Sequence, residues 1–289
     1  MNTENEIIKR VRKIEIRAKG LSRQLFSGEY HSAFKGRGMA FSEVREYQYG
    51  DDIRNIDWNV TARLNHPYVK IFEEERELTV MLLVDVSGST LFGTRQLFKQ
   101  DLIAEIAATL AFSAITNNDK VGVVFFSDRI EKFIPPKKGS THILRIIREL
   151  ITFQPQGHGT NITEAMRYFT NVIKKRSTVF LLSDMEALSF EDGLKIASKK
   201  HDLSVIQISD RRERSLPDIG LVKLRDCETG SEHWVDTSSK SLRETYGRQR
   251  ALHFADVETI LRKYGIDHVS VETGDDFVKP LIKLFKMRQ

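Results

Sequence analysis

Residues 78–84, LTVMLLV, carry no charge and show no regular alternation of polar and apolar side chains. A strand of that kind needs cover on both faces, which points to the interior of a mainly parallel sheet flanked by helices. Further strands are predicted at 121–126, 178–182 and 203–208, with an edge strand near 130–134. Helical periods fall between them. Residues 96–116 put Leu102, Ile103, Ile106, Leu110 and Ala114 on one stripe, and helices are expected at 143–151, 162–173 and 190–199. Strands that alternate with helices imply right-handed crossovers. The predicted fold class is therefore α/β, a doubly wound, mainly parallel sheet with helices on both faces. Toward the end, 221–226 and 233–236 flank Glu228-Thr229-Gly230-Ser231 and read as a hairpin, followed by a helix near 238–263, a strand at 267–271 and a helix at 275–287.

Two domains are drawn, 1–77 and 78–289. Ile7, Val11, Ile14, Ala18, Leu21 and Leu25 are spaced by four and three, giving one apolar stripe on an N-terminal helix. The stripe is short for a coiled coil and is expected to pack against the protein's own body. Residues 27–77 are rich in glycine, aromatic residues and both charge signs, as in a small irregular subdomain with short strands. Arg45, Arg54 and Arg63 lie among Asp51, Asp52, Asp57 and Glu73–Glu75, an expected ion-pair network with Trp58 as apolar anchor. No Pro/Ser-rich spacer precedes Leu78, so the two parts are expected to fold together.

Composition removes several classes. No apolar run reaches about 18 residues, so no membrane span is expected. The charged N-terminus does not read as a secretory signal. A single cysteine, Cys227, leaves no internal disulfide and no cysteine-based zinc site. A cytoplasmic protein is expected, reaching a membrane only through a partner. The net charge of +5 is concentrated in part at 9–23, but no nucleic-acid motif accompanies it. A solvated basic surface is the simpler reading, and a basic nucleic-acid binder stays as an alternative.

The first buried strand ends in Asp85-Val86-Ser87-Gly88-Ser89-Thr90. In an open parallel sheet, ligands gather beyond the carboxyl ends of the strands, where strand order reverses. A tight loop turns Asp85, Ser87 and Ser89 toward one point, and Gly88 permits close approach of the backbone. Gly159-Thr160 opens a helix and offers a hydroxyl; Asp184 closes the next buried strand and offers a carboxylate. Three hydroxyls and two carboxylates form an all-oxygen shell suited to Mg2+, or to Mn2+.

Asp-x-Ser-x-Ser with the later Thr and Asp resembles the metal-ion-dependent adhesion site of von Willebrand factor A domains. The resemblance implies Ser87, Ser89 and Thr160 as direct ligands, Asp85 and Asp184 acting mostly through water, and an open position for a partner's acidic side chain. Upstream, Gly36-Arg37-Gly38, Glu43, Arg45, Gly50-Asp51-Asp52 through Asp57-Trp58 and Tyr68-Val69-Lys70, together with Asp226-Cys227-Glu228-Thr229-Gly230, are similar to the bacterial domain of unknown function 58 family. That resemblance implies an accessory or adaptor protein for a MoxR-type AAA+ ATPase, or for other von Willebrand A-type proteins.

Enzyme readings fit less well. A haloacid-dehalogenase-type hydrolase would use Asp85 as nucleophile and a second Asp two residues later, but that position is Ser87. No Gly-x-Ser-x-Gly elbow and no Gly-x-x-x-x-Gly-Lys-Ser/Thr loop occurs. His158 adjoins Thr160, and the other histidines show no ligand spacing. A protein without catalytic activity is expected, with a magnesium-assisted hydrolase using Asp85 as the alternative.

Overall fold

A computed structural model describes residues 2–26, 39–74, 78–91, 98–187, 189–227 and 230–288. The chain divides into two compact units, Lys35–Leu78 and a larger one made of Met1–Phe34 with Thr79–Gln289.

In the larger unit α1 (Asn2–Phe26) is followed by β3 (Thr79–Asp85), α3 (Lys99–Thr116), β4 (Lys120–Phe126), β5 (Ile130–Lys137), α4 (Ser140–Thr152), α5 (Ile162–Val172), β6 (Thr178–Ser183) and α6 (Glu191–Lys200). Then come β7 (Asp202–Ser209), the short α7 (Arg211–Arg214), β8 (Leu221–Arg225), β9 (Glu232–Asp236), α8 (Lys240–Lys263), β10 (Asp267–Glu272) and α9 (Val278–Lys286). The central six-stranded sheet runs β10-β7-β6-β3-β4-β5, parallel throughout except for β5. Strand order reverses at β3, which has β4 on one side and β6 on the other. The α/β class and mainly parallel sheet expected from the sequence are present.

The uncharged runs became inner strands because both of their faces are covered. On one face Met81, Leu83, Val179, Leu181 and Val205 meet α5, α6 and α8 through Met166, Phe169, Leu194 and Leu261. On the other, α9 brings Phe285 against Phe180 of β6, ring centroids 6.3 Å apart. Helix α3 is buried nearly all round, a pattern that requires cover on its outer side as well. Helix α1 packs against α3 and α4 and buries Ile14 and Ala18. Its place is thus in the larger unit, although the sequence grouping joined it to residues 27–77.

The smaller unit pairs β1 (Met39–Glu46) antiparallel with β2 (Tyr68–Glu74) around α2 (Trp58–Leu64). Asp57 caps α2 by accepting from the Asn59 and Val60 amides. Arg45 binds Asp51 in a two-pronged pair of 2.7 and 2.9 Å, and Lys70 lies 3.4 Å from Asp57. Ion pairing is therefore real in this unit, but Trp58 is not the expected anchor. It stands directly after the cap, on the outer side of a two-turn helix, and is 69% exposed, whereas Val69 on β2 is buried. The predicted features at 27–38 and 75–77, and the hairpin tip at 228–229, lie outside the described residues.

Candidate metal centre

The carboxyl ends of β3 and β6 adjoin at the point where strand order reverses. Asp85, the last residue of β3, is buried. Its Oδ1 accepts the Ser87 amide at 2.9 Å and its Oδ2 accepts the Ser183 hydroxyl at 2.6 Å. The chain then tightens into a 3-10 turn over Gly88–Leu91, fixed by the Thr90 hydroxyl donating to the Ser87 carbonyl at 2.8 Å. This turn sets the Ser87 and Ser89 hydroxyl oxygens 3.0 Å apart.

Gly88 is where three segments converge. Its amide donates to the His158 carbonyl at 2.8 Å, which ties the 157–160 loop to the turn. A Cβ on Gly88 would overlap the Cys227 carbonyl oxygen and lie 3.2 Å from the His158 carbonyl oxygen. Glycine is thus required by close approach, and the start of the β8–β9 connection rests on the turn. Thr160 follows on the 157–160 loop, half-buried, just before Asn161. Asn161 caps α5 through the Glu164 amide at 3.0 Å and is itself held by its own amide donating to the Ser127 carbonyl at 2.8 Å.

Asp184 directly follows β6 and is buried. Its Oδ1 accepts the Glu186 amide at 3.3 Å, and its Oδ2 accepts Lys99 Nζ at 2.7 Å. The Lys99 side chain is 0% exposed and also donates to Glu213 Oε1 at 2.5 Å. Glu213 is fixed in turn because its Oε2 accepts the Asp210 amide at 2.8 Å, one half of a capping box on α7.

Burial, and after it the Asp184 charge, pushes the Asp85 carboxyl up to about 7, against hydrogen bonds from Ser183 and Ser87. Burial alone would lower Lys99, yet the Asp184 and Glu213 charges outweigh it and its proton is held more tightly than usual. Burial raises the Glu213 carboxyl in spite of Lys99.

The residues present suit a hard divalent ion. Two oxygens that occupy adjacent positions at about 2.0–2.1 Å from an octahedral ion are about 3 Å apart, which matches the Ser87–Ser89 pair. Among the described residues no three His, Cys, Asp or Glu side chains converge as a metal site, so an ion here would rest on hydroxyls. Of the five expected residues, direct hydrogen bonds tie Asp85, Ser87 and Ser89 into one cluster. Asp184 is coupled to Asp85 by charge, and Thr160 belongs to the loop bonded to Gly88.

Sequence reasoning missed Lys99, Ser183 and Glu213. Lys99 had a visible signal, since it shares a helical stripe with Ile103, Ile106 and Leu110 and a charge there has no apolar role. Ser183 and Glu213 had none, because their partners are distant in the chain.

The fold and site define a doubly wound α/β protein with a hydroxyl–carboxylate cluster at its switch point. Residues 43–256 match the family described as "Protein of unknown function DUF58", and the chain belongs to that family. It is 29% identical over 284 residues to the uncharacterized protein Rv1480 of Mycobacterium tuberculosis (strain ATCC 25618 / H37Rv), covering 96% of this chain and 89% of that one. It is 26% identical over 109 residues to YeaD of Bacillus subtilis (strain 168), covering 38% of this chain and 25% of YeaD. Among solved structures it is similar to BatB from Bacteroides thetaiotaomicron, with a TM-score of 0.49 at 17% identity, covering 73% of this chain and 98% of BatB. The SpRpn10 VWA domain gives a TM-score of 0.39 at 9% identity, covering 73% of this chain and 95% of that domain.

Proposed function

We propose that this protein is a docking module whose contact with protein partners depends on Mg2+ or Mn2+ at the Asp85–Ser87–Ser89–Thr160–Asp184 cluster. The observation that carries the reading is the Ser87–Ser89 oxygen pair, 3.0 Å apart beside buried Asp85 at the switch point. The ion supplies an electrophilic position for an anionic side chain. Ser87, Ser89 and Thr160 contribute neutral oxygens, so they leave the ion's charge available to an incoming Asp or Glu. Asp85 is held in place by Ser183 and the Ser87 amide. The family resemblance implies a MoxR-type AAA+ ATPase or another von Willebrand A-type protein as the donor of the acidic side chain. Among the described residues no helix is long and apolar enough to cross a membrane, which accords with a cytoplasmic protein, peripheral to the membrane through a partner.

The hydrolase alternative needs Asp85 as a free nucleophile, whereas both of its oxygens already accept hydrogen bonds in a buried setting. On α1, Arg10 pairs with Asp101, Arg17 with Glu105 and Lys19 with Glu15, which leaves exposed Lys9, Arg12 and Lys13 as the cations that the nucleic-acid alternative would use. Calorimetry with Mg2+ and Mn2+ tests the metal. One site is expected in the wild-type protein and none in Ser87→Ala/Ser89→Ala; undiminished binding in that variant removes the assignment. Affinity for a purified MoxR-type partner, compared in Mg2+ and in EDTA, tests the docking role, and equal affinity places docking on another face.

A further inference from the structure

A lysine sealed from solvent is held by its partners in a single arrangement. Lys99 Nζ reaches Asp184 Oδ2 at 2.7 Å and Glu213 Oε1 at 2.5 Å, with 0% of its side chain exposed. It is fixed from behind as the first residue of the buried helix α3, and from the front by Glu213, whose second oxygen belongs to the α7 capping box. Asp184 is therefore matched to a resident cation through Oδ2, while its Oδ1 accepts the Glu186 amide. Among the described residues Asp85 has no such cation; its oxygens accept the Ser87 amide and the Ser183 hydroxyl.

We infer that Lys99 is a tethered cation that sets the ion affinity of the proposed metal centre. This inference rests on the metal reading above. Two effects follow from the geometry. A fixed positive charge on Asp184 opposes a second cation nearby, so an ion resting on the Ser87 and Ser89 hydroxyls would be held less tightly and would exchange. The same charge compensates Asp184 when no ion is bound, so the cluster keeps its fold in chelator. Lys99 is a positioning residue in this account, because it acts on the ion through Asp184.

The test uses the full chain, Mn2+ as probe, and two variants whose effects are opposite in sign. Lys99→Met keeps the length of the side chain and removes the charge, and Mn2+ should bind about tenfold more tightly or better. Its thermal midpoint should also fall in EDTA and recover with Mn2+, a metal dependence that the wild-type protein should show only weakly. Glu213→Gln leaves Lys99 with Asp184 alone, so the ammonium is drawn onto Asp184 and Mn2+ should bind about threefold more weakly or worse. A pair that merely braces the fold would shift both variants in the same direction. Should Lys99→Met fail to fold, Glu213→Gln decides: weaker binding supports the inference, and equal or tighter binding overturns it. If the wild-type protein binds Mn2+ through Ser87 and Ser89 while Lys99→Met binds no more tightly, the Lys99 inference fails and the metal reading stands. Absence of Mn2+ binding in the wild-type protein and in both variants overturns the two together. Binding seen only in Lys99→Met supports the tethered cation.

Discussion

Gly88 shows how much of the site depends on a single missing Cβ. Its neighbours are carbonyl oxygens of Cys227 and His158, fixed backbone atoms that cannot rotate away. Gly88→Ala must displace one of the two loops, and overpacking of that kind costs about 1–3 kcal/mol. Urea unfolding of the full chain measures the loss, and Mn2+ affinity should fall with it as Ser87 and Ser89 separate. Cys227→Ala is the control, because the contact is made by the carbonyl and the side chain is exposed; its stability should stay within about 0.5 kcal/mol of wild type. A Gly88→Ala protein as stable as wild type would show that the hairpin is not seated on the turn. The value of glycine here was legible in the sequence as close backbone approach, because Asp-x-Ser-Gly-Ser after a buried strand requires a tight turn. Its partner was not, since Gly88 and Cys227 lie 139 positions apart and no local pattern encodes a contact of that range.

At the level of elements, continuous apolar runs were enough for the inner strands, and helical periodicity for α5 and α6, where a single face is buried. It could not reveal how those helices are joined. His201 ends α6 and packs on Phe169 of α5, ring centroids 4.5 Å apart. Both of its ring nitrogens are buried with no hydrogen-bond partner among the described residues. Burial, and then the Lys200 and Arg176 charges, lowers its pKa from 6.5 to about 4. The folded protein thus refuses a proton that the unfolded chain accepts below 6.5. Stability from this residue is fully present above that pH, declines as pH falls toward 4, and is constant below it. The loss across the window is on the order of 3 kcal/mol. His201→Leu should flatten the urea midpoint between pH 4.5 and pH 7.5 relative to wild type. An unchanged slope would mean that other groups govern the acid limb.

For the whole of the larger unit, the governing fact is that α3 is buried nearly all round. A helix buried all round must be covered outside the sheet layer, and the chain meets this need with its own first helix. The stripe on α1 was legible, and so was its use within the protein's own body. What the sequence left unstated was which element it covers, because Ala-rich α3 would suit several neighbours equally. Two kinds of contact hold α1 there. Ile14 and Ala18 are buried against the body, while Arg17 pairs with Glu105 at 2.8 Å and remains 55% exposed. The magnitudes decide between them. Removing a buried isoleucine side chain costs about 2–5 kcal/mol, and the low end applies at a boundary that can partly close, whereas an exposed ion pair contributes about 0–1 kcal/mol. Ile14→Ala should therefore lower the unfolding free energy by about 2–3 kcal/mol, and Arg17→Ala by less than about 1 kcal/mol, with little dependence of the first value on salt. Urea titrations of both variants at low and high ionic strength make the comparison. Equal losses, both shrinking as salt is added, would show that charge rather than apolar contact seats the helix. In that case the basic residues of α1 would be structural in a way that burial alone does not require.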